Sequence, residues 1–458
     1  MLMRFSVSNY MSFGYKTNDN GEVTPDEFYL YAGSSQQFKE RVINFDSRNV
    51  LKFSSVYGAN ASGKTNLVRA IECGKDILLS TFDDVEVSDK YCRNRSINKW
   101  MPTLFEYEFT IKEKCYAYGF TVNLQKQEVL SEWLYDLSEK KESTIFERSV
   151  ETDEYYFDQD MFTDDENIRE FHYYLKDSNR IKKSLLLYEL DRRNLEHYDY
   201  NVFHQVFGWF KKKLVTIYPE TPISASYFRF EEANNSLVKI LEYLDTGITN
   251  YHMQPLHENA FREYFANPSF ADHFLKKQNH EEEALKGVLR YGDTLFELQY
   301  GEEKTDISKL QFIHGNDESY YEYGEESDGT QRLVELLDVL LNDEDERVFV
   351  IDELDRSLHP QMTRKFVETF LKFSEEKNTQ LIITTHESNL MDLEILRRDE
   401  IWFTEREYDN TTTLYTLEKY KVRYDKVIAK DYLAGRYGAV PVFKDFEYVW
   451  GRDSDCKD

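Results

Sequence analysis

The stretch Gly58-Ala59-Asn60-Ala61-Ser62-Gly63-Lys64-Thr65 has the spacing G-x-x-x-x-G-K-[ST], which serves to hold a phosphate chain. Gly58 and Gly63 let the backbone take conformations that a side chain forbids, so successive N–H groups converge on one point. Lys64 is then placed for the β- and γ-phosphates, and the Thr65 hydroxyl for Mg²⁺. Far downstream, Asp352-Glu353 follows the apolar run Val348-Phe349-Val350-Ile351. Asp352 can hold Mg²⁺ directly or through water, and Glu353 can polarise a water that attacks a γ-phosphate. His386 closes a second apolar run, Leu381-Ile382-Ile383, and an imidazole there can donate to a γ-phosphate oxygen. A further anion site is offered by Ser327, Gly329, Thr330 and Gln331 ahead of a helix striped by Leu333, Leu336, Leu337 and Leu340. One phosphate loop already serves one nucleotide, so this second site calls for a second nucleotide: a dimer whose Ser327–Gly329 end caps ATP on the opposite subunit.

These residues need particular elements beneath them. Leu51 to Tyr57 reads as a short strand, and Leu67, Ala70 and Ile71 recur at helical spacing after the loop. Val348–Ile351 and Leu381–Ile383 are continuous apolar runs, as expected of parallel strands buried on both faces. Their C-terminal edge is where open α/β sheets bind ligands. Between them Met362, Phe366, Phe370 and Phe373 mark an amphipathic helix. Met3 to Tyr10 alternates as a half-buried strand, while residues 14–48 are polar and turn-rich. The segments 104–111 and 115–122 alternate on either side of a charged turn, which predicts antiparallel hairpins and a β-subdomain. Residues 147–166 are acidic and weakly patterned, and are expected to form exposed loop. From 166 to 290 the pattern is mostly helical, as at Leu237, Ile240, Leu241 and Leu244, with Asn235 or Ser236 available as cap and Gly247 as stop. The expected division is an N-terminal lobe at 1–146, a helical insertion at 147–290, a C-terminal lobe at 291–420 and a tail at 421–458.

The chain has 458 residues, 41% hydrophobic and 16% aromatic, enough for a globular protein of two or three domains. No apolar run approaches a membrane span and the start is no signal peptide, so a soluble cytoplasmic protein is expected. Cys73, Cys92, Cys115 and Cys456 show no C-x-x-C pairing and read as free thiols, and His257, His273 and His280 lack metal-ligand spacing. Lysine and arginine number 57 against 85 acids, a net charge of −28, which excludes a general nucleic-acid coat. One local exception lies between 180 and 213. There Arg180, Lys182, Lys183, Arg192, Arg193, Lys211, Lys212 and Lys213 stand against Glu189, Asp191, Glu196 and Asp199. An ordinary solvated face is the simpler account of this stretch, and a site for nucleic acid or an acidic phage protein is the alternative.

Taken in order, the motifs resemble ABC-type ATPases of the RecF/SMC/OLD branch. In that resemblance 58–65 is the phosphate loop, Ser327-Asp328-Gly329-Thr330-Gln331 the signature motif and Val348–Glu353 the Walker B strand. Ser357-Leu358-His359-Pro360 is the D-loop and His386 the switch histidine. Asp352-Glu353-Leu354-Asp355-Arg356-Ser357-Leu358-His359-Pro360, Arg398-Asp399-Glu400-Ile401-Trp402-Phe403 and Gly435-Arg436-Tyr437-Gly438-Ala439-Val440-Pro441 are similar to compact phage-defence ATPases of the RloA/AbiL type, related to those of Septu and PARIS systems. The resemblance covers roughly 1–80, 100–137 and 320–445. It implies an α/β P-loop NTPase fold (ABC-type head) with an antiparallel β-subdomain and a helical insertion. ATP and Mg²⁺ are the implied cofactors, and ATP joins a homodimer or higher homo-oligomer.

The departures from the pattern are informative. No glutamine is clearly placed as a Q-loop, and no long coiled coil follows the SMC design. The segment after His386 offers Glu405, Glu407 and Asp409, which suit a strand and turn better than the Toprim nuclease of OLD proteins. The implied function is therefore an ATP-hydrolysing sensor and scaffold of an anti-phage defence system that controls a separate effector, a nuclease. The alternatives are a RecF-like DNA-repair ATPase that binds DNA in its ATP-bound dimer and, with less support, a self-contained nuclease.

Overall fold

The computed structural model describes residues 1–458 apart from 34, 36, 46–47, 140, 194–199, 220–229, 276–285, 302–303, 316–318, 343, 421–426 and 442–458, and side chains at the same positions less 230–236, 273 and 286–287. Glu196, Asp199, His280 and Cys456 lie outside the described residues, as do the side chains of Asn235, Ser236 and His273.

The centre is a six-stranded sheet in the order Leu214–Ile217, Val348–Ile351, Gln380–Thr384, Phe53–Gly58, Ile401–Arg406, Thr412–Thr416. All neighbours are parallel except the last pair. Alternation along its strands sends Val56, Val348, Val350, Ile382 and Trp402 into one core. Phe53, Tyr57, Phe349, Ile351, Leu381, Ile383 and Phe403 enter another. Both faces are thus buried, which is why these strands read as unbroken apolar runs.

The helix Lys64–Leu79 covers the first face and carries Leu67, Val68, Ile71, Ile77 and Leu78 inward. Each such side chain contributes about 1.5–3 kcal/mol by leaving water. Behind the helix stands a seven-stranded antiparallel sheet in the order 154–157, 143–149, 128–136, 114–123, 103–111, 2–8, 26–29. Its aromatic face meets the helix, and Tyr107 donates its hydroxyl to the Ile71 carbonyl at 2.8 Å. The predicted hairpin is present, with Thr103–Ile111 paired to Lys114–Asn123. The second face of the central sheet is covered by the helices Phe230–Tyr243, Asp328–Leu341 and Pro360–Phe373. Leu333, Leu336, Leu337 and Leu340 are buried there, as their spacing predicts. A third, five-stranded antiparallel sheet joins 248–256, 286–291, 294–300, 305–314 and 320–321, and the short helices Glu258–Glu263 and Pro268–Leu275 pack on it. The molecule is an α/β P-loop NTPase head with an added antiparallel subdomain and helices at 165–178, 186–192 and 201–208.

Several expectations are corrected. Residues 147–166 are not simply loop: Ser143–Ser149 and Glu154–Phe157 continue the seven-stranded sheet, and the division expected at 146 falls inside the first of them. Glu154–Phe157 is an edge strand with one buried residue, too exposed to show alternation. The span 166–290 contains strands as well as helices. Leu214–Ile217 belongs to the central sheet, and Ile248–Leu256 and Lys286–Tyr291 to the third. Four residues after three lysines give no period, and Ile248–Leu256 is mostly half-exposed on both faces. The helix bearing Leu237 begins at Phe230, so Asn235 and Ser236 lie inside it rather than capping it. Gly247, at φ 78°, does stand at its end. Leu51 closes the hairpin strand Arg48–Leu51, and the loop's own strand starts at Phe53.

Candidate nucleotide site

The loop 58–65 leaves the central sheet and enters its helix with Ala61 at φ 62° and Gly63 at φ 113°. A Cβ on Gly58 would stand 2.2 Å from Thr404 Oγ1, and one on Gly63 would stand 2.1 Å from Thr412 Oγ1. Glycine is therefore required by packing at both positions and by backbone conformation at the second. The neighbouring strands brace the loop from behind. Ser62 Oγ and Thr404 Oγ1 are 2.6 Å apart, and Thr404 Oγ1 donates to the Tyr57 carbonyl at 3.3 Å. Thr412 Oγ1 donates to the Ser62 carbonyl at 2.8 Å and lies 2.7 Å from Ser12 Oγ, which accepts from Asn66 Nδ2 at 2.8 Å. Lys64 is buried and donates to the Gly58 and Ala59 carbonyls at 2.7 and 3.3 Å. Burial pushes its pKa down to about 8, against the pull of Asp352, Glu353 and Asp355.

Asp352 is buried at the C-terminal end of Val348–Ile351. Its Oδ1 accepts from Thr65 Oγ1 at 3.2 Å and from Thr384 Oγ1 at 2.6 Å. Glu353 follows in the left-handed region at φ 48°, and Ser357 at φ 64°. For residues other than glycine such backbone costs about 1–2 kcal/mol each. It is held at Glu353 by the bond from its N–H to Thr384 Oγ1, 2.9 Å. His386 lies one strand away, its N–H donating to Asp355 Oδ1 at 3.2 Å. The imidazole is exposed at the sheet edge, yet partial desolvation and then the Lys64 charge lower its pKa, opposed by Asp355, Glu353 and Asp352. At neutral pH it is mostly uncharged, with one ring N–H to give.

Ser327 caps the helix Asp328–Leu341 by accepting the Thr330 N–H at 3.2 Å. Gln331 Nε2 turns back to the Glu326 carbonyl at 2.9 Å, and a Cβ on Gly329 would lie 3.0 Å from the Ser357 carbonyl. Ser327 and Asp328 are exposed. One residue further, buried Arg332 pairs with Glu335 at 3.2 Å and donates to the carbonyls of Asp352 at 3.4 Å and Tyr218 at 3.5 Å. Glu335 also accepts from Arg290 at 2.5 Å and from the Tyr323 hydroxyl at 2.9 Å.

The structure thus gathers Lys64, Thr65, Asp352, Glu353 and His386 at one sheet edge. It sets Ser327, Gly329, Thr330 and Gln331 apart, at a helix start beside Ser357. A cavity of about 860 Å³ has Thr65, Asp352 and Glu353 in its lining, together with Arg69, Glu72, Asp76 and Tyr218. The convergent loop backbone with its glycine-only approaches fits a phosphate chain. The paired hydroxyl and carboxylate of Thr65 and Asp352 are the hard oxygen donors that Mg²⁺ takes.

The residues not foreseen from sequence are Ser12, Thr384, Thr404, Thr412 and Arg332. Ser12 reaches the site from a turn, the three threonines from neighbouring strands and Arg332 from the rear of a helix, and only the Thr384-Thr385-His386 run gave a hint. In the basic stretch, four of the eight cations have partners of their own. Arg193 lies 3.7 Å from Asp177, Lys213 bonds the Asp345 carbonyl at 2.9 Å, and Arg192 and Lys211 lie over Tyr188 and Phe207. His257 accepts the Asn259 N–H at a helix start. Glu405 sits in a strand beside Tyr415, with Glu407 and Asp409 in the turn that follows. No helix among the described residues is long and apolar enough to cross a membrane.

The parallel sheet and the glycine-rich loop at its edge are those of a P-loop ATPase head. A family model described as "AAA domain, putative AbiEii toxin, Type IV TA system" matches residues 53–392, and the chain belongs to that family. Among curated proteins none matches. Solved structures similar to this chain include an SMC head bound to the C-terminal winged-helix domain of ScpA, at 14% identity and TM-score 0.41 over 91% of this chain and 97% of that one. An SMC head domain from Thermotoga maritima shows 12% identity and TM-score 0.33 over 91% and 98%. An SMC head with an extended coiled coil, bound to the C-terminal domain of ScpA derived from Pyrococcus furiosus, shows 11% and 0.39 over 91% and 97%. At these identities and scores no function passes from those proteins to this chain.

Proposed function

We propose that the chain binds and hydrolyses ATP, and that two copies close around it. The observation that carries this reading is the convergence of Thr65, Asp352 and Glu353 with Lys64 at the end of a glycine-gated loop. The N–H groups of Gly58 to Thr65 (through Ala59, Asn60, Ala61, Ser62, Gly63 and Lys64) bind the phosphates, and Lys64 swings from its own loop carbonyls to the β- and γ-oxygens. Thr65 and Asp352 hold Mg²⁺, which supplies positive charge against the phosphate oxygens. Glu353 accepts the proton of the attacking water, and His386 donates to a γ-oxygen. Ser327, Gly329, Thr330 and Gln331 of a second copy cap the same triphosphate, so ATP joins the subunits and its loss releases them.

The task we assign to this clamp is control of a separate effector, a nuclease, in anti-phage defence. The family description, which names a toxin of a type IV toxin–antitoxin system, supports a setting of that kind. The DNA-repair alternative leans on the 180–213 cations, and Lys213 is already engaged by residues 344–345. Light scattering tests the clamp: Glu353→Gln with ATP and Mg²⁺ is expected to be dimeric, and a monomer under those conditions contradicts it. The effector is tested by co-purification with the product of the neighbouring reading frame, where a nuclease supports the proposal and repair proteins favour the alternative.

A further inference from the structure

Thr384 ends the strand Gln380–Thr384, beside the strand that carries Asp352, and is fully buried. A hydroxyl has one proton to give and lone pairs to receive with. Here the proton goes to Asp352 Oδ1 at 2.6 Å, and a lone pair takes the Glu353 N–H at 2.9 Å. The Thr384 carbonyl accepts the next N–H, that of Leu354, at 3.0 Å. Three bonds from one residue therefore fix the Asp352 carboxylate and both peptide groups after it. They span the turn where Glu353 holds a left-handed backbone at φ 48°. Threonine suits this task because branching at Cβ restricts χ1, so the hydroxyl stays aimed.

We propose that Thr384 is the positioning residue of the nucleotide site: its hydroxyl sets the Asp352 carboxylate toward the metal and holds the turn that aims Glu353 at the attacking water. The proposal rests on the ATPase reading and assigns Thr384 no contact with nucleotide. Loss of the hydroxyl leaves the carboxylate with the longer bond from Thr65 at 3.2 Å and the Glu353 N–H without its acceptor, while the phosphate loop is untouched. Chemistry and metal affinity should therefore fall while nucleotide affinity stays.

The test compares Thr384→Val, Thr384→Cys and Thr384→Ser in the full chain. Turnover is measured against ATP concentration, and Mn²⁺ affinity by electron paramagnetic resonance with a non-hydrolysable ATP analogue. Removing such an outer partner typically costs about 10–100-fold, and that loss is expected in kcat and Mn²⁺ affinity for Thr384→Val with KM for ATP within about twofold. Thr384→Ser should stay within about threefold of the parent, and Thr384→Cys, with a weak donor of similar size, should fall between. Unchanged kcat and Mn²⁺ affinity in the valine and cysteine variants, or a serine variant as impaired as valine, overturns the assignment. If the valine variant does not fold, the cysteine and serine variants decide by the same criteria. Failure of the parent to hydrolyse ATP removes the activity reading alone, because the Mn²⁺ comparison needs no turnover.

Discussion

The two halves of the nucleotide site are built differently. The phosphate-loop half is fixed by five strands of one sheet. Phe53–Gly58 supplies the loop, Val348–Ile351 the carboxylates, Gln380–Thr384 the Thr384 hydroxyl, and Ile401–Arg406 and Thr412–Thr416 the braces behind Ser62. The signature half is one exposed helix start whose side-chain hydrogen bonds at Ser327, Thr330 and Gln331 stay within 326–331. It is tied to the rest by packing against Ser357 and by Arg332, which reaches the carbonyl behind Asp352. Under the proposed clamp, the half assigned the chemistry is over-determined, as it must be where misplacement by an ångström is costly. The half proposed to meet a partner keeps its face open and is anchored from the rear.

This contrast can be broken at either half. The largest effect is expected from Lys64→Ala, which removes the buried charge of the loop: ATP affinity should fall by roughly 100-fold or more, and a fluorescent-nucleotide titration with near-parental affinity would refute the loop assignment. Next comes Glu353→Gln, for which single-turnover hydrolysis should slow by about 10²–10⁴-fold with binding retained. A variant that also loses binding would make Glu353 structural. The third is a pH effect. Lys64 binds phosphate when protonated, and its pKa in the free protein is about 8, well below the ordinary lysine value of 10.5. ATP affinity should therefore be nearly flat below pH 7 and fall about tenfold from pH 7 to pH 9, about fivefold of it between pH 8 and pH 9, with proton uptake on binding at pH 8.5 by calorimetry. Flat affinity across that range would mean Lys64 keeps an ordinary pKa. The smallest effect belongs to the braces. Thr404→Val removes the partner of Ser62 Oγ and should lower ATP affinity only severalfold, corresponding to roughly 1 kcal/mol for one hydrogen bond. A loss as large as that of Lys64→Ala would show that the loop collapses without its rear support.

The residues proposed to carry the chemistry could be picked out where a motif is local. The loop spacing, the carboxylate pair after an apolar strand and the capped helix at Ser327 are each encoded within about ten residues. The braces were not, because Ser12, Thr384, Thr404 and Thr412 matter only once strand order is known, and a threonine in a strand carries no mark of its neighbour. The third sheet was missed for a related reason: Ile248–Leu256 is half-exposed along most of its length and never alternates cleanly. Two stretches that carried the family resemblance have structural work in this chain. Arg397 and Asp399 form a buried bidentate pair at 2.8 and 2.6 Å, and Arg397 also donates to the carbonyls of Ser35 and Gln37. Tyr437 stacks on Phe403 beside the loop strand, its ring centroid 6.0 Å away.

The proposal that two half-sites complete each other across subunits is tested in mixed pairs. Lys64→Ala spoils the loop half, Gly329→Asp the signature half, and each variant alone should be inactive. A verified heterodimer of the two contains one composite pocket with both halves intact, and it should regain up to about half of the parental ATP turnover. Heterodimers as inactive as either parent variant, with ATP and Mg²⁺ saturating, would contradict the shared pocket.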